Sequence, residues 1–428
     1  MKLWFLLGLA LATPIVQDEA GEVASQEPAA PLDQPLDLAA LEAELKELVR
    51  AYPKWLDLRR LQPDPEGPAV TLVVIGEREL GDPSRRPGLC VLPELTSADA
   101  ETSRTMLSVL RDLCAGLDGD LELAERLRMA TLYWIPAPLA DVFDPEARTR
   151  RVDFSKNFPT DWRPVQSGEA GPYPLSEPEC RAIADFLYWR SNLAACLEVS
   201  TEAPLEQSLV PLLSPEEARR SRELAENLSA LGAEEPVVFG LETLSAGPGS
   251  LRRYADLGLG LWTFLQAPSN AAIADEFRSS QVLIDENSRV AARTLFERIG
   301  ALLDALPRIE LGAVEVEQLG EALWRIDVPV QNAGLFVTGA RHEAEPTARV
   351  RLELEGADFV ATMVRGASRE SFVPLASSGL RVDLGHLDGG ETRVLRAIVK
   401  TTENDEIELR VRAARAGSVR TKVALPKQ

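Results

Sequence analysis

The side chains best suited to acid–base and metal chemistry are unevenly distributed along this chain. It has 428 residues but only two histidines, His342 and His386. A Ser-His or Cys-His nucleophile pair therefore has no base before position 342. Carboxylates in the earlier part could supply oxygen ligands, but such sites suit calcium or magnesium better than catalytic zinc, so we interpret them as solvated loop residues. They are Glu94, Asp99, Glu101, Glu198 and Glu202.

The segment from Asp153 to Glu179 combines many turn-forming residues with a helix signal. Pro and Gly residues recur from position 159 to 174 and exclude a long regular element. Ser176, with Glu179 three residues later, is a capping box and predicts the start of a helix that contains Ile183, Phe186 and Leu187. A surface loop that leads directly into a buried helix is a common place for a site.

The same segment resembles the zinc metallocarboxypeptidases, the carboxypeptidase A/B-like exopeptidases. That family carries Asp-x-Asn-Arg-Asn-Phe-Pro, a nearby Trp, and Gly-Pro-x-Pro-Ser-Glu-Pro-Glu. The matching residues here are Asp153, Asn157, Phe158, Pro159, Trp162, Gly171, Pro172, Pro174, Ser176, Glu177, Pro178 and Glu179. The resemblance implies a carboxypeptidase-like fold.

The resemblance also implies where a zinc site would lie. In the family, His-x-x-Glu after one strand and a His at the end of a later strand bind the metal. When Ser103-Arg104 is aligned with the family's Gly-Arg, the ligand positions fall on Ser97, Ala100 and Ser200. Zinc sites use His, Cys, Asp or Glu. We therefore expect no zinc cofactor.

The family's catalytic Glu is also missing from its expected place. In the family it ends a strand in Thr-Phe-Glu-Leu, whereas this chain has Trp-Thr-Phe-Leu-Gln from position 262. The position falls on Gln266 when counted from Gly249-Ser250, and on Leu265 by the Thr-Phe motif. Neither side chain can accept a proton at neutral pH.

The substrate-binding positions implied by the family are only partly kept. The family's Asn-Arg pair falls on Ser155 and Lys156, and Arg148 lies where a second Arg is found. Lysine keeps the charge of arginine but loses its bidentate fork. Leu251 falls where the family sets side-chain preference. These positions predict weak binding of peptide or protein C-termini. The alternative is that Lys156 and Arg148 are ordinary solvated residues with no binding role.

The pattern of elements predicts an α/β domain over residues 37–306. Asp37 is a candidate N-cap for a first helix, and buried strands are expected near 70–75, 89–92, 131–135, 193–199, 236–241 and 257–265. Helices are expected between them and over 285–306. Strands that alternate with helices imply a mixed, mostly parallel sheet with helices on both faces.

From residue 308 to residue 428 the apolar residues recur with period two, for example at Ile407, Leu409 and Val411. Short alternating strands without helices predict a β-sandwich. The Val-Gln-Asn-Ala-Gly run ending at Gly334 resembles the small immunoglobulin-like domains that follow bacterial carboxypeptidase domains. Such modules are usually spacers or docking surfaces, so an envelope protein is a possible partner of this domain.

Composition and the N-terminus bear on location. The formal charge of −21 argues against nucleic acid and anionic membranes as partners. Lys2 and a short apolar run predict a signal peptide over 1–17, followed by a disordered linker over 18–36. No segment is long enough to span a membrane. We therefore expect a secreted or periplasmic protein. Its cysteines could form disulfides or be core thiols; they are Cys90, Cys114, Cys180 and Cys196.

These observations favour an exported carboxypeptidase-like pseudoenzyme that serves as a binding or structural scaffold. The alternative is an active metallocarboxypeptidase that uses an atypical metal site built from Asp and Glu. A third hypothesis assigns the working role to the C-terminal sandwich.

Overall fold

A computed structural model describes residues 37–65, 67–95, 100–117, 119–138, 152–200, 239–242, 248–268, 284–339, 349–366, 371–401 and 405–425. The predicted signal peptide and linker, and the predicted site residues Ser97 and Arg148, lie outside these ranges. Leu36–Gln428 forms one compact unit.

The first part of this unit is built on a seven-stranded sheet. Its strands are β1 (Leu56–Leu61), β2 (Val70–Ile75), β3 (Gly88–Pro93), β4 (Thr131–Trp134), β5 (Leu193–Val199), β6 (Phe239–Glu242) and β7 (Trp262–Pro268). Their order is β1-β2-β4-β3-β5-β7-β6. The central strands β4, β3, β5 and β7 are parallel neighbours, whereas β1, β2 and β6 join through antiparallel pairings. The predicted mixed sheet is confirmed.

The longer helices described beside this sheet are α1 (Leu38–Ala51), α2 (Ala100–Gly116), α3 (Leu121–Met129), α4 (Pro178–Trp189) and α5 (Ile284–Ala305). Asp37 caps α1 as predicted, because its side chain accepts a hydrogen bond from the Ala40 N–H. Every residue of β2, β3, β4 and β5 is buried. Strands of this kind are covered on both faces.

Two local predictions are wrong. The capping box does not form: α4 begins at Pro178 with Glu177 as its N-cap, and the Ser176 hydroxyl instead accepts a hydrogen bond from Asn157. Proline at the first position already has the helical φ angle, so the helix starts without a side-chain cap. The strand expected over 257–265 begins only at Trp262. The residues before it form a short helical segment that ends at Gly258, and Gly260 then adopts a positive φ of 61°.

The second part is a sandwich of antiparallel sheets. One sheet contains β8 (Ile309–Leu311), β9 (Glu315–Gly320), β10 (Leu323–Asn332), β12 (Asp358–Gly366), β13 (Val373–Pro374) and β16 (Thr392–Lys400). The other contains β11 (Val350–Glu355), β14 (Ser377–Ser378), β15 (Arg381–Gly385), β17 (Glu406–Ala413) and β18 (Gly417–Ala424). Apolar side chains of both sheets form one buried cluster. The predicted sandwich is confirmed.

Arg415, in the turn between β17 and β18, ties the sandwich to the sheet of the first part. Only 4% of Arg415 is exposed. Its guanidinium donates to the carbonyls of Leu259 and Gly260 at 2.6 Å each, and to that of Gly339 at 3.3 Å. The first two carbonyls directly precede β7, so this contact fixes the turn against the segment that leads into the sheet.

The four cysteines are reduced and buried, which selects core thiols over disulfides. Cys90 and Cys196 lie opposite each other on β3 and β5. The pKa of Cys196 is raised by its hydrogen bond with Cys90 and by burial, and burial raises the pKa of Cys180. Thiols of this kind react slowly because the thiolate is the nucleophile.

Thiol titration tests this arrangement. We expect no cysteine to react rapidly with a disulfide reagent in the native protein at neutral pH, because all four thiols are buried. In denaturant without reductant, all four should react. A lower number in denaturant would show that disulfides are present.

No helix within the described ranges is long and apolar enough to cross a membrane.

Candidate functional site

The candidate site lies at the carboxyl ends of β3, β5 and β7. Pro93 pairs with Val199, and Val199 pairs with Gln266, so the three strands end side by side. Immediately after β3, the Glu94 N–H donates to the Val199 carbonyl at 2.7 Å. Open α/β sheets place their ligand sites at this edge.

The positions that the family resemblance assigns to metal and base lie around this edge. Ser200 follows β5 and is 2% exposed, and Leu265 in β7 is also buried and lies opposite Glu198. Gln266 is the next residue of β7, and Ala100 is the first residue of α2. Ser97 lies outside the described residues. What the described positions contribute to function stays a prediction.

An arginine between two glutamates forms a buried charged cluster at this edge. The Nη2 of Arg252 lies 2.8 Å from the Oε1 of Glu94, and its Nε lies 2.5 Å from the Oε2 of Glu198. The three side chains are 13%, 15% and 4% exposed, respectively. We call Glu94, Arg252 and Glu198 the Glu–Arg–Glu cluster. It holds one permanent cation within reach of two carboxylates.

Local backbone structure places Arg252 in the cluster. It lies in a one-turn helix, Leu251–Arg253, which Ser250 caps by accepting a hydrogen bond from the Arg253 N–H. Gly249 precedes the cap with a positive φ of 75°, and an added Cβ would lie 2.5 Å from the Lys156 carbonyl oxygen. Glycine is therefore required where this turn meets the loop that carries Lys156.

The protonation of Glu198 is unusual. Burial raises the pKa of Glu198 to about 7, although Arg252 opposes this rise, and the nearby Glu94 carboxylate adds to it. A buried carboxyl group favours its neutral form because desolvation penalises the charge. Near neutral pH the cluster therefore changes between one and two negative charges around a single guanidinium.

The raised pKa of Glu198 predicts a pH dependence of stability. In the folded state Glu198 binds a proton between its ordinary pKa of 4.5 and about 7, whereas the unfolded chain does not. The folded state thus binds more protons in this window, so the contribution of Glu198 to stability falls as pH rises, by about 3 kcal/mol at most. Glu198→Gln should remove this contribution.

Urea unfolding of Glu198→Gln and the unmodified protein from pH 5 to pH 8 measures the effect. The variant should become more stable relative to the unmodified protein as pH rises. Glu310→Gln is the control, because the Glu310 side chain is 51% exposed. A stability difference between Glu198→Gln and the unmodified protein that does not change with pH would contradict the raised pKa.

The described residues at this edge do not fit the zinc ion that the family resemblance implies. Both carboxylates of the cluster are in contact with the Arg252 guanidinium, whose charge would repel a divalent cation. Ser200 and Ala100 are not ligand types used by zinc. Within the described ranges, no three His, Cys, Asp or Glu side chains are placed to share a metal ion.

Lys156 and Ser155 lie in the loop that contacts Gly249. The Lys156 Nζ is 3.0 Å from Asp153 Oδ2 and 3.1 Å from Glu169 Oε2, while the Ser155 hydroxyl donates to Asp153 Oδ1. The hydrogen bond to Asp153 raises the pKa of Lys156. Its ammonium group is charged and already balanced, so a ligand carboxylate has to compete with two internal carboxylates.

Leu251 is 1% exposed and belongs to the apolar core that also contains Phe158. Its side chain therefore packs in the protein interior and is not open to solvent. Arg148, the other predicted substrate-binding residue, lies outside the described residues.

Sequence reasoning missed Arg252 and the role of Asn157. Asn157 is fully buried and donates to the carbonyls of Ala170 and Tyr173 and to the Ser176 hydroxyl, while it accepts from the Glu177 N–H. It thus holds the loop against the start of α4. One sequence signal could have indicated Arg252. It is a basic residue shortly after Gly249-Ser250, and the acidic residues Glu94 and Glu198 lie at the ends of two predicted strands.

A family model described as a domain of unknown function (DUF8731) matches residues 308–424. No curated protein matches the sequence.

The solved structures that are similar to part of the chain include carboxypeptidases and a fibrinolysis inhibitor. Bovine thrombin-activatable fibrinolysis inhibitor is 14% identical to this chain, and the alignment covers 63% of this chain and 97% of the inhibitor chain, with a TM-score of 0.48. Carboxypeptidase A from Helicoverpa armigera is 15% identical over 64% and 75% of the two chains, with a TM-score of 0.47. A metallo-carboxypeptidase from Burkholderia cenocepacia is 14% identical over 63% and 69%, with a TM-score of 0.44. We derive no function from similarity at this level.

Proposed function

We propose that this protein is an exported carboxypeptidase-like pseudoenzyme that acts as a binding or structural scaffold. Its α/β domain spans residues 37–306, and its sandwich spans 308–428. The observation that carries the proposal is the Glu–Arg–Glu cluster at the carboxyl ends of β3 and β5.

The cluster supports a structural role because it is internally compensated. A metallopeptidase needs a Lewis acid with an open coordination position and a base that activates water. In this chain a side-chain guanidinium stands next to the carboxylates at the strand ends, and Leu265 takes one of the two positions expected for the base. The guanidinium offsets carboxylate charge at this edge, so the edge is stabilised without an added cation.

Binding of peptide or protein C-termini is part of the proposal. Lys156 is 42% exposed and keeps its charge, so a free carboxylate can displace Asp153 or Glu169 from it. Binding should be weak because that exchange replaces one carboxylate with another. An envelope protein that docks on the sandwich is the second kind of partner that we propose.

Metal analysis and a hydrolysis assay test the loss of activity. The full chain is incubated with zinc, dialysed and analysed for bound metal, then assayed on an N-terminally blocked dipeptide with a free C-terminus. We expect no stoichiometric zinc, no hydrolysis and no zinc-dependent rise in Tm. Stoichiometric zinc together with hydrolysis that a chelator abolishes would support the alternative, an active enzyme with an atypical metal site.

Peptide titrations test the binding role separately. A peptide that ends in an apolar residue with a free carboxylate is compared with its C-terminal amide. Lys156→Ala should weaken binding of the acid by about 1 to 3 kcal/mol, the range for a lost charge-assisted hydrogen bond. Arg163→Ala is the matched control, since Arg163 is exposed on the same loop. Equal affinity for acid and amide would remove C-terminal recognition from the proposal.

A further inference from the structure

Five arginines surround one cleft between the outer face of one sandwich sheet and the first part of the chain. The cleft has a volume of about 310 Å³. It lies where β11, β17 and the start of β18 meet the turn Pro83–Arg85 of the first part of the chain. The arginines are Arg85, Arg349, Arg351, Arg410 and Arg412, which we call the arginine cleft.

The strand register places arginines opposite each other, and the repulsion between them disfavours the folded sheet. Arg351 on β11 lies directly opposite Arg412 on β17, and Arg410 lies directly opposite Arg420 on β18. Like charges at directly opposed positions destabilise a sheet. The whole chain carries 67 acidic and only 46 basic residues, so this concentration runs against its composition.

Nearby carboxylates do not pair with all of these arginines. Glu353 lies opposite Arg410 in the register, but its Oε1 contacts Arg412 at 2.9 Å and Arg381 at 3.0 Å. Asp383 reaches Arg349 only at 3.5 Å. The Nε of Arg410 is inaccessible to solvent and has no hydrogen-bond acceptor among the described residues. At least one guanidinium edge of the cleft therefore lacks the acceptor that a buried donor requires.

The chemistry of the lining narrows the class of ligand. Guanidinium groups match the oxygens of phosphate in bidentate geometry. The remaining lining residues are small, among them Ser84, Ser418 and Gly417, and none is aromatic. The cleft has no surface on which a base or sugar ring could stack, and its volume is at the lower end of small-molecule sites.

We propose that the arginine cleft binds a small anion that carries two or more phosphate groups. The guanidinium groups from β11 and β17 contact different phosphates, and Arg85 closes the cleft from the other side. The bound anion would also join the sandwich to the first part of the chain, because its ligands come from both.

The test is a calorimetric titration of the full chain with sodium pyrophosphate at constant ionic strength, alongside orthophosphate and tripolyphosphate. We expect pyrophosphate to bind with one site per chain and at least tenfold more tightly than orthophosphate. If tripolyphosphate binds more tightly than pyrophosphate, the natural ligand is a polymeric phosphate. If the two bind with equal affinity, the natural ligand is a diphosphate compound. Raising the salt concentration should weaken binding.

The variant for this test is Arg410→Gln with Arg412→Gln, and the matched control is Arg420→Gln with Lys422→Gln. Both pairs lie on the same hairpin and remove two positive charges, but only the first lines the cleft. The first pair should weaken pyrophosphate binding at least tenfold, and the control pair less than threefold. Hydrogen exchange of β17 in the unmodified protein, with and without pyrophosphate, gives a readout that does not depend on either variant.

Three results would overturn the proposal: no pyrophosphate binding by the unmodified protein, equal losses in both variant pairs, or no protection of β17. A polyglutamate peptide that binds more tightly than tripolyphosphate would also overturn it, because the cleft would then recognise an acidic protein. None of these results bears on the zinc and hydrolysis assays.

Discussion

Replacing Arg252 with methionine should lower the free energy of unfolding by about 3 to 5 kcal/mol at pH 7, the usual cost of breaking a buried ion pair. The replacement leaves the carboxyl groups of Glu94 and Glu198 next to each other without a cation. Glu198 is 4% exposed, so water cannot compensate for the lost partner. The cost should be smaller at pH 5, since Glu198, whose pKa is raised to about 7, is then protonated and no longer repels the Glu94 side chain.

Urea unfolding at pH 7 and pH 5 measures both the loss and its pH dependence. Arg59→Met is the control, because Arg59 pairs with Asp57 at the surface and exposed pairs contribute about 0 to 1 kcal/mol. Adding Glu198→Gln to Arg252→Met should restore part of the stability. If Arg252→Met cost no more than the control, the cluster would not be what stabilises this edge of the sheet.

Arg415→Met should destabilise the protein by about 3 kcal/mol and separate the unfolding of the sandwich from that of the first part. The methionine cannot donate to the carbonyls of Leu259, Gly260 and Gly339, which then lose a charged hydrogen-bond donor. Hydrogen bonds to charged groups contribute about 1.5 to 3 kcal/mol each, and buried carbonyls without a donor add a further cost.

Differential scanning calorimetry detects the separation as two transitions in place of one. Arg420→Met is the control, since Arg420 lies on the same hairpin but its side chain is 60% exposed. A single transition with an unchanged Tm in Arg415→Met would show that other contacts couple the two parts.

The amino-acid sequence was enough to predict both kinds of architecture. Apolar runs bounded by turn residues predicted buried strands, and alternation such as Ile407, Leu409 and Val411 predicted the sandwich, because the period of side-chain burial follows directly from backbone geometry. It also determined that Ser97, Ala100 and Ser200 do not carry zinc-ligand side chains, since residue type alone answers that question.

Local signals were less reliable where tertiary contacts compete with them. Ser176 and Glu179 had the spacing of a capping box, yet the Ser176 hydroxyl accepts from Asn157, which lies 19 positions earlier. Leu251, which the family resemblance assigned to side-chain preference, is buried in the core. In each case a partner distant in the sequence decided the position of the side chain.

The charged side chains that contact each other were not predictable from the sequence, because their contacts depend on how the chain packs. Glu94 and Arg252 are separated by 158 positions, and no sequence pattern indicates that the ends of β3 and β5 bring Glu94 and Glu198 to the same guanidinium. The arginine cleft likewise depends on a strand register that places Arg351 opposite Arg412. Electrostatic interactions act through space, so their partners are fixed by the packing of strands and turns rather than by neighbours in the chain.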